Sequence, residues 1–196
     1  MKVVRVCKGM TVPQRTLITN AYFGGMLGMK CSKLIPELCR FLMECFNPVT
    51  CELDFGVRGK IPVDVQSVVR VLAVPNGIYP VPCEANIEAT SYILQMMGIT
   101  NGKQPTLALV ELQLGPTYPA DASFLRKFVM FLVSSMFAPT TGVFVSPKYY
   151  PALINADGIP KLNWAQFIID IIIQTAKAKG TKNWFKACMP YLMVSF

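Results

Sequence analysis

The chain has 196 residues, of which 53% are hydrophobic and only 15% charged. That composition excludes a predominantly disordered protein, because disordered chains are polar and highly charged. It contains no histidine, which excludes Ser-His-Asp and Cys-His nucleophile sets, a histidine general base and His-containing zinc sites. The net charge of +8 suits an acidic partner, nucleic acid or an anionic membrane surface.

The excess charge sits at the two ends. Lys2, Arg5, Lys8, Arg15, Lys30 and Lys33 precede the first acid, Glu37, and Lys177, Lys179, Lys182 and Lys186 follow the last one, Asp170. These ten residues are the candidate basic contacts. Residues 1–20 mix basic and aliphatic side chains without a clear helical period and are interrupted by Pro13. They read as a flexible or strand-like basic arm, with a mitochondrial targeting segment as the alternative. A helical domain is expected over 21–196.

Gly24, Gly25 and Gly28 mark a turn or close-packing segment, and no Gly-Lys-Ser/Thr follows to make a phosphate loop. A helix is predicted over Lys33–Phe46, with Leu34, Leu38, Phe41, Leu42, Cys45 and Phe46 on one face. Alternation over Cys51–Phe55 predicts a strand that returns through Lys60–Pro62 as a short hairpin. Asp64 is placed to cap a helix carrying Val65, Val68, Val69 and Leu72 in one stripe, ended by Pro75-Asn76-Gly77. Pro80 and Pro82 read as a linker. Further helices are expected over Glu84–Met97, with Ile87, Tyr92, Ile93, Leu94 and Met97 on its apolar side, and over Thr106–Leu114.

Asp121 caps the next predicted helix, Ala122–Phe137, so apolar all round that it should be central. A short helix is expected from Ser146 or Pro147 to Ile154. Over Lys161–Lys179, Asn163, Gln166, Asp170, Gln174 and Lys177 form one narrow polar stripe on an otherwise apolar helix. A last helix is expected from Asn183 to about Met193, carrying Trp184, Phe185 and Tyr191. The fold class is therefore mainly α, a single compact helical domain with one small β-hairpin.

No uninterrupted apolar run reaches the ~18 residues that a membrane span needs. The seven cysteines contain no C-x-x-C pair, and the start lacks the apolar core of a secretory signal, so reduced thiols and no metal site are expected. Cys31 between Lys30 and Lys33 could have a lowered pKa, yet it lacks a base and reads better as a structural cysteine. Tyr149-Tyr150 beside Lys148 could stack bases, but core aromatics are the simpler account. Asp170 reads as solvent-facing or hydrogen-bonded. No catalytic residue, cofactor or small-molecule substrate is expected.

Several blocks resemble a known family. They are Ala21-Tyr22-Phe23-Gly24-Gly25-Met26-Leu27 with Met29-Lys30-Cys31 and Leu34; Phe46-Asn47-Pro48 with Thr50-Cys51; Val68 to Gly77; Phe124 to Thr141; and Leu162-Asn163-Trp164-Ala165-Gln166-Phe167 with Asp170. In this order they are similar to the aminotransferase-like plant mobile domain, and to the region upstream of SUMO-type cysteine protease domains in plant transposon proteins. Ala73 stands where that family usually has a glycine. The resemblance implies a helical interaction module from a mobile element, nuclear or cytoplasmic, without pyridoxal chemistry or catalytic residues to carry over. Its partner is expected to be another protein or a second copy, with nucleic acid as the alternative and a membrane or mitochondrial role as a further one.

Overall fold

A computed structural model describes residues 1–31, 33–140, 142–178 and 186–195. It is a mainly α domain with one small antiparallel sheet. The helices are α1 (Lys2–Gly9), α2 (Val12–Asn20), α3 (Gly24–Leu27), α4 (Pro36–Cys45), α5 (Val65–Leu72), α6 (Ile87–Met96), α7 (Leu107–Leu112), α8 (Ala122–Leu132), α9 (Trp164–Lys177) and α10 (Met189–Ser195). The strands are β1 (Phe46–Asn47), β2 (Glu52–Asp54) and β3 (Lys60–Pro62).

The expected arm over 1–20 is instead two helices of the core. Val3, Val4, Val6 and Cys7 form a buried face of α1, a helical period that the intervening lysines and arginine obscure in the sequence. Pro13 lies in the first turn of α2, where its missing N–H goes unused. Thr11 and Gln14 close a reciprocal capping box there, with Thr11 N–H donating to Gln14 Oε1 at 2.9 Å. Buried Gln14 then donates Nε2 to the carbonyls of Gly115 (3.0 Å) and Tyr118 (2.8 Å).

Helix α4 begins at Pro36 rather than Lys33, because the residue before a proline disfavours helical geometry and Ile35 is extended. Its buried face is Cys39, Leu42 and Met43, whereas Phe41 stays exposed. The rotation follows from its neighbour: α10 packs on it, with Cys39 Sγ 3.7 Å from Met193 Sδ. Phe46 leaves the helix to pair with Leu53, so the expected hairpin gains a third strand in the order β1-β2-β3. Asp64 caps α5 as expected, in a capping box with Ser67. Ile87, predicted on the apolar side of α6, points to solvent, and Ala89 and Ile93 are buried in its place.

The centre is built by α8 and α9. Eight of the eleven residues of α8 are buried, and it runs on through a π-helical turn, Val133–Phe137. Arg126 of α8 donates to the Leu153 and Ile154 carbonyls at 3.0–3.2 Å and lies over the Tyr92 ring, tying the 3₁₀ helix Pro147–Leu153 and α6 to the core. Trp164 at the start of α9 is fully buried; its Nε1 donates to the Ile159 carbonyl at 2.8 Å, and Phe23, Phe137 and Phe167 surround its ring. Trp184 and Phe185 lie outside the described residues. Among the described residues no helix is long and apolar enough to cross a membrane.

Candidate functional site

The chain after α5 is a tethered strap rather than a linker. Gly77 N–H donates to the Leu162 carbonyl and Tyr79 N–H to that of Lys161, both at 3.2 Å, while Asn163 N–H returns a bond to Tyr79 O at 2.7 Å. Gly77 is required at this crossing, because a Cβ there would overlap the Lys161 carbonyl. The strap is thus hydrogen-bonded to the entry of α9, and two grooves adjoin it.

The first groove is apolar, about 480 Å³, and lined by Tyr22, Gly24, Gly25, Val69, Val74 and Pro160, among others. Two of its residues hold left-handed backbone without being glycine: Tyr22 at φ 62° and Ala73 at φ 45°. Such geometry costs about 1–2 kcal/mol for a side chain other than glycine. Tyr22 keeps 69% of its surface exposed; elsewhere on the strap Ile78 keeps 85% and Tyr79 55%. Tyr22 is thus a large apolar side chain open to water at the groove itself. The approach of α3 to α5 that forms the groove needs Gly25, whose Cβ would overlap the Leu72 carbonyl.

The second is a polar cleft of about 280 Å³ between the strap and α9. Asn163, Gln166, Asp170 and Gln174 line it from the helix, Ile78, Pro80 and Val81 from the strap, and Cys83 and Lys148 close it. The predicted polar stripe is thus one wall of a cleft. Asn163 Oδ1 caps α9 by accepting from Gln166 N–H at 2.8 Å, and Gln166 Nε2 donates to Asp170 Oδ1 at 2.9 Å. The Cys83 thiol donates to the Val81 carbonyl at 3.2 Å. Burial pushes its pKa up, against the pull of Lys148, so it is a protonated thiol rather than a thiolate nucleophile.

The basic residues singled out in the sequence do not form one site. Lys2 and Lys8 are exposed on α1, but Arg5 between them bonds Glu111 of α7, with Nε 2.9 Å from Oε1. Arg15 donates to the Cys7 carbonyl at 2.8 Å. Lys30 and Lys33 are exposed in the loop before α4, and Lys186 is exposed before α10. Lys177 is exposed in the last turn of α9, where it complements the helix dipole. Lys179 and Lys182 lie outside the described residues.

The remaining candidates are structural. Tyr150 is fully buried and donates to Gln104 Oε1 at 2.8 Å, and Tyr149 packs edge-on against Phe167. Cys31 Sγ contacts the Lys33 carbonyl at 3.6 Å, and Asp170 is exposed. Among the described residues no group of three metal-ligating side chains converges, and the cysteines form no disulfide.

The model of one family, a domain of unknown function (DUF8566), matches residues 1–193. The chain belongs to the DUF8566 family. No curated protein and no solved structure matches it. The DUF8566 match includes α1 and α2, in keeping with their burial in the core, and takes in both grooves and the strap. Sequence reasoning found the polar stripe but missed the apolar groove. The only trace of that groove was the Gly24-Gly25 pair, which signals close backbone approach without saying to what.

Proposed function

We propose that this chain is a non-enzymatic protein-interaction module, and that it descends from a plant mobile element as the resemblance described above implies. The observation that carries the interaction reading is the apolar groove lined by Val69, Ala73 and Val74, with Tyr22 largely exposed on its wall. Apolar side chains clustered at an open groove gain by being covered, whereas singly scattered ones need no explanation. Tyrosine suits such a role because its large, rigid ring loses little entropy on binding. The absence of histidine and the protonated thiol in the polar cleft support a binding rather than a catalytic role.

The test is capture of partners from plant cells at moderate salt, read by mass spectrometry, with nuclease-treated and untreated samples. The wild type is compared with Tyr22→Asn, since asparagine tolerates left-handed backbone. Defined protein partners should survive nuclease and be lost with Tyr22→Asn. Partners that vanish with nuclease and are indifferent to Tyr22 would overturn this reading in favour of the exposed lysines Lys2, Lys8, Lys30 and Lys33 acting on nucleic acid.

A further inference from the structure

The wall that α9 gives to the polar cleft has hydrogen-bonding capacity that the fold leaves unused. With Asn163 Oδ1 on the Gln166 amide and Gln166 Nε2 on Asp170, four groups remain without a partner among the described residues. They are Asn163 Nδ2, Gln166 Oε1, Asp170 Oδ2 and the carboxamide of Gln174. A carboxamide carries a donor and an acceptor side by side, matching the N–H and C=O that every second residue of an extended chain presents along one edge.

Their spacing fits one kind of ligand. Residues four apart on a helix are about 6 Å apart along its axis, close to the roughly 6.7 Å that an extended chain covers in two residues. Gln166, Asp170 and Gln174 therefore meet every second residue of a strand laid along α9. From Asn163 to Gln174 the row is about 16 Å long, room for about five extended residues. The rest of the lining agrees. One carboxylate, Asp170, and one ammonium, Lys148, leave the cleft without net charge, which suits a neutral main chain and not a phosphate. Ile78, Pro80, Val81, Phe167 and Ile171 offer apolar surface to side chains.

From this we infer that the cleft along α9 binds an extended peptide segment of a partner protein, gripping its main chain through Asn163, Gln166, Asp170 and Gln174. The inference rests on the protein-interaction reading and adds the form of the partner and a site separate from the Tyr22 groove. Recognition through the main chain makes the site tolerant of sequence, with selectivity left to the apolar walls and to Lys148.

A phage-displayed library of random seven-residue peptides, panned against the full chain, tests it, with selected peptides then measured by fluorescence anisotropy. Enrichment is expected. Gln166→Ala with Gln174→Ala should weaken binding about tenfold, the worth of two lost hydrogen bonds, with the thermal unfolding midpoint unchanged. N-methylation of alternate peptide amides should abolish binding, and Tyr22→Asn should leave it intact. No enrichment, or binding that is indifferent to both glutamines and to N-methylation, would overturn the inference. In that event the capture of partners through Tyr22 stands or falls by its own experiment.

Discussion

The hydroxyls of Ser67 and Tyr191 lie 2.6 Å apart in the core, joining α5 to α10. Ser67 Oγ also donates to the Asp64 carbonyl and accepts from the Asp64 N–H, at 2.7 and 3.0 Å. With its one proton on Asp64, Ser67 receives the Tyr191 proton, so one oxygen serves both the helix cap and the inter-helix contact. Tyr191→Phe removes the hydrogen bond to Ser67 and should cost about 1 kcal/mol. Ser67→Ala also removes the two bonds its hydroxyl makes with the Asp64 backbone, while the Asp64 side-chain cap on the residue 67 N–H remains, and should cost about 2 kcal/mol. Urea unfolding measures both, and equal costs would show that those two bonds contribute nothing.

Gln14 fastens the N-terminal helices to the rest of the domain through its bonds to the Gly115 and Tyr118 carbonyls. Gln14→Ala takes the donor from both carbonyls and leaves a cavity beside α7, so a loss of about 2–3 kcal/mol is expected. If residues 1–20 were a dispensable arm, the urea midpoint would not move. Arg5→Ala, which breaks an ion pair with an exposed arginine, should cost less than 1 kcal/mol.

Local signals carried much of the fold. The caps at Asp64 and Asp121 accept from the backbone N–H three residues on and were legible because capping is chemistry within one turn, whereas the same bonds at Thr106 and Asn163 were not read from the sequence. The central place of α8 and the polar stripe of α9 were legible from periodicity. The rotation of α4 was not, because the packing of α10 decides it from far along the chain. Helix α1 was missed because its face spans only two turns, and the strap was missed because its hydrogen bonds go to residues more than eighty positions away. One groove arises where α3 approaches α5 and the start of the strap, the other where the strap meets α9, so neither could be read from a local pattern. Only the residue types that would line the polar one were visible.

Ala73 caps α5 in left-handed conformation at φ 45° and ψ 54°, a place that favours glycine. Ala73→Gly relieves about 1–2 kcal/mol of steric strain and gives back part of that in unfolded-chain entropy. A net gain of about 0.5–1 kcal/mol should appear as a higher urea midpoint. Gly25→Ala acts in the opposite direction, since the new Cβ would overlap the Leu72 carbonyl and crowd Ala73. A loss of at least about 2 kcal/mol is expected, with α3 pushed off α5 and the apolar groove opened.

The buried thiols set an alkaline limit on stability. Burial pushes Cys188 up to about 12 and Cys7 up to about 11, the latter against the pull of Arg15; an unperturbed thiol lies at 9.0. Below pH 9 both states are protonated and the thiols add no pH dependence. Above it the unfolded chain loses these protons while the folded one keeps them, so the unfolded state binds fewer protons and stability falls as pH rises. Each thiol removes up to about 1.4 kcal/mol per pH unit until its folded pKa is reached. Lys127 works the other way: burial lowers its pKa despite the attraction of Asp121, so the folded state sheds that proton first and recovers part of the loss. Burial also raises Cys39 and Cys83, so with four thiols against Lys127 the urea midpoint should drop between about pH 9 and 10. Cys188→Ala should start from a lower midpoint, because it leaves a small cavity, but show a shallower fall. A wild-type profile that stays flat over this range would mean that Cys188 is open to water in the folded protein, and a thiol reagent would then label it without denaturant.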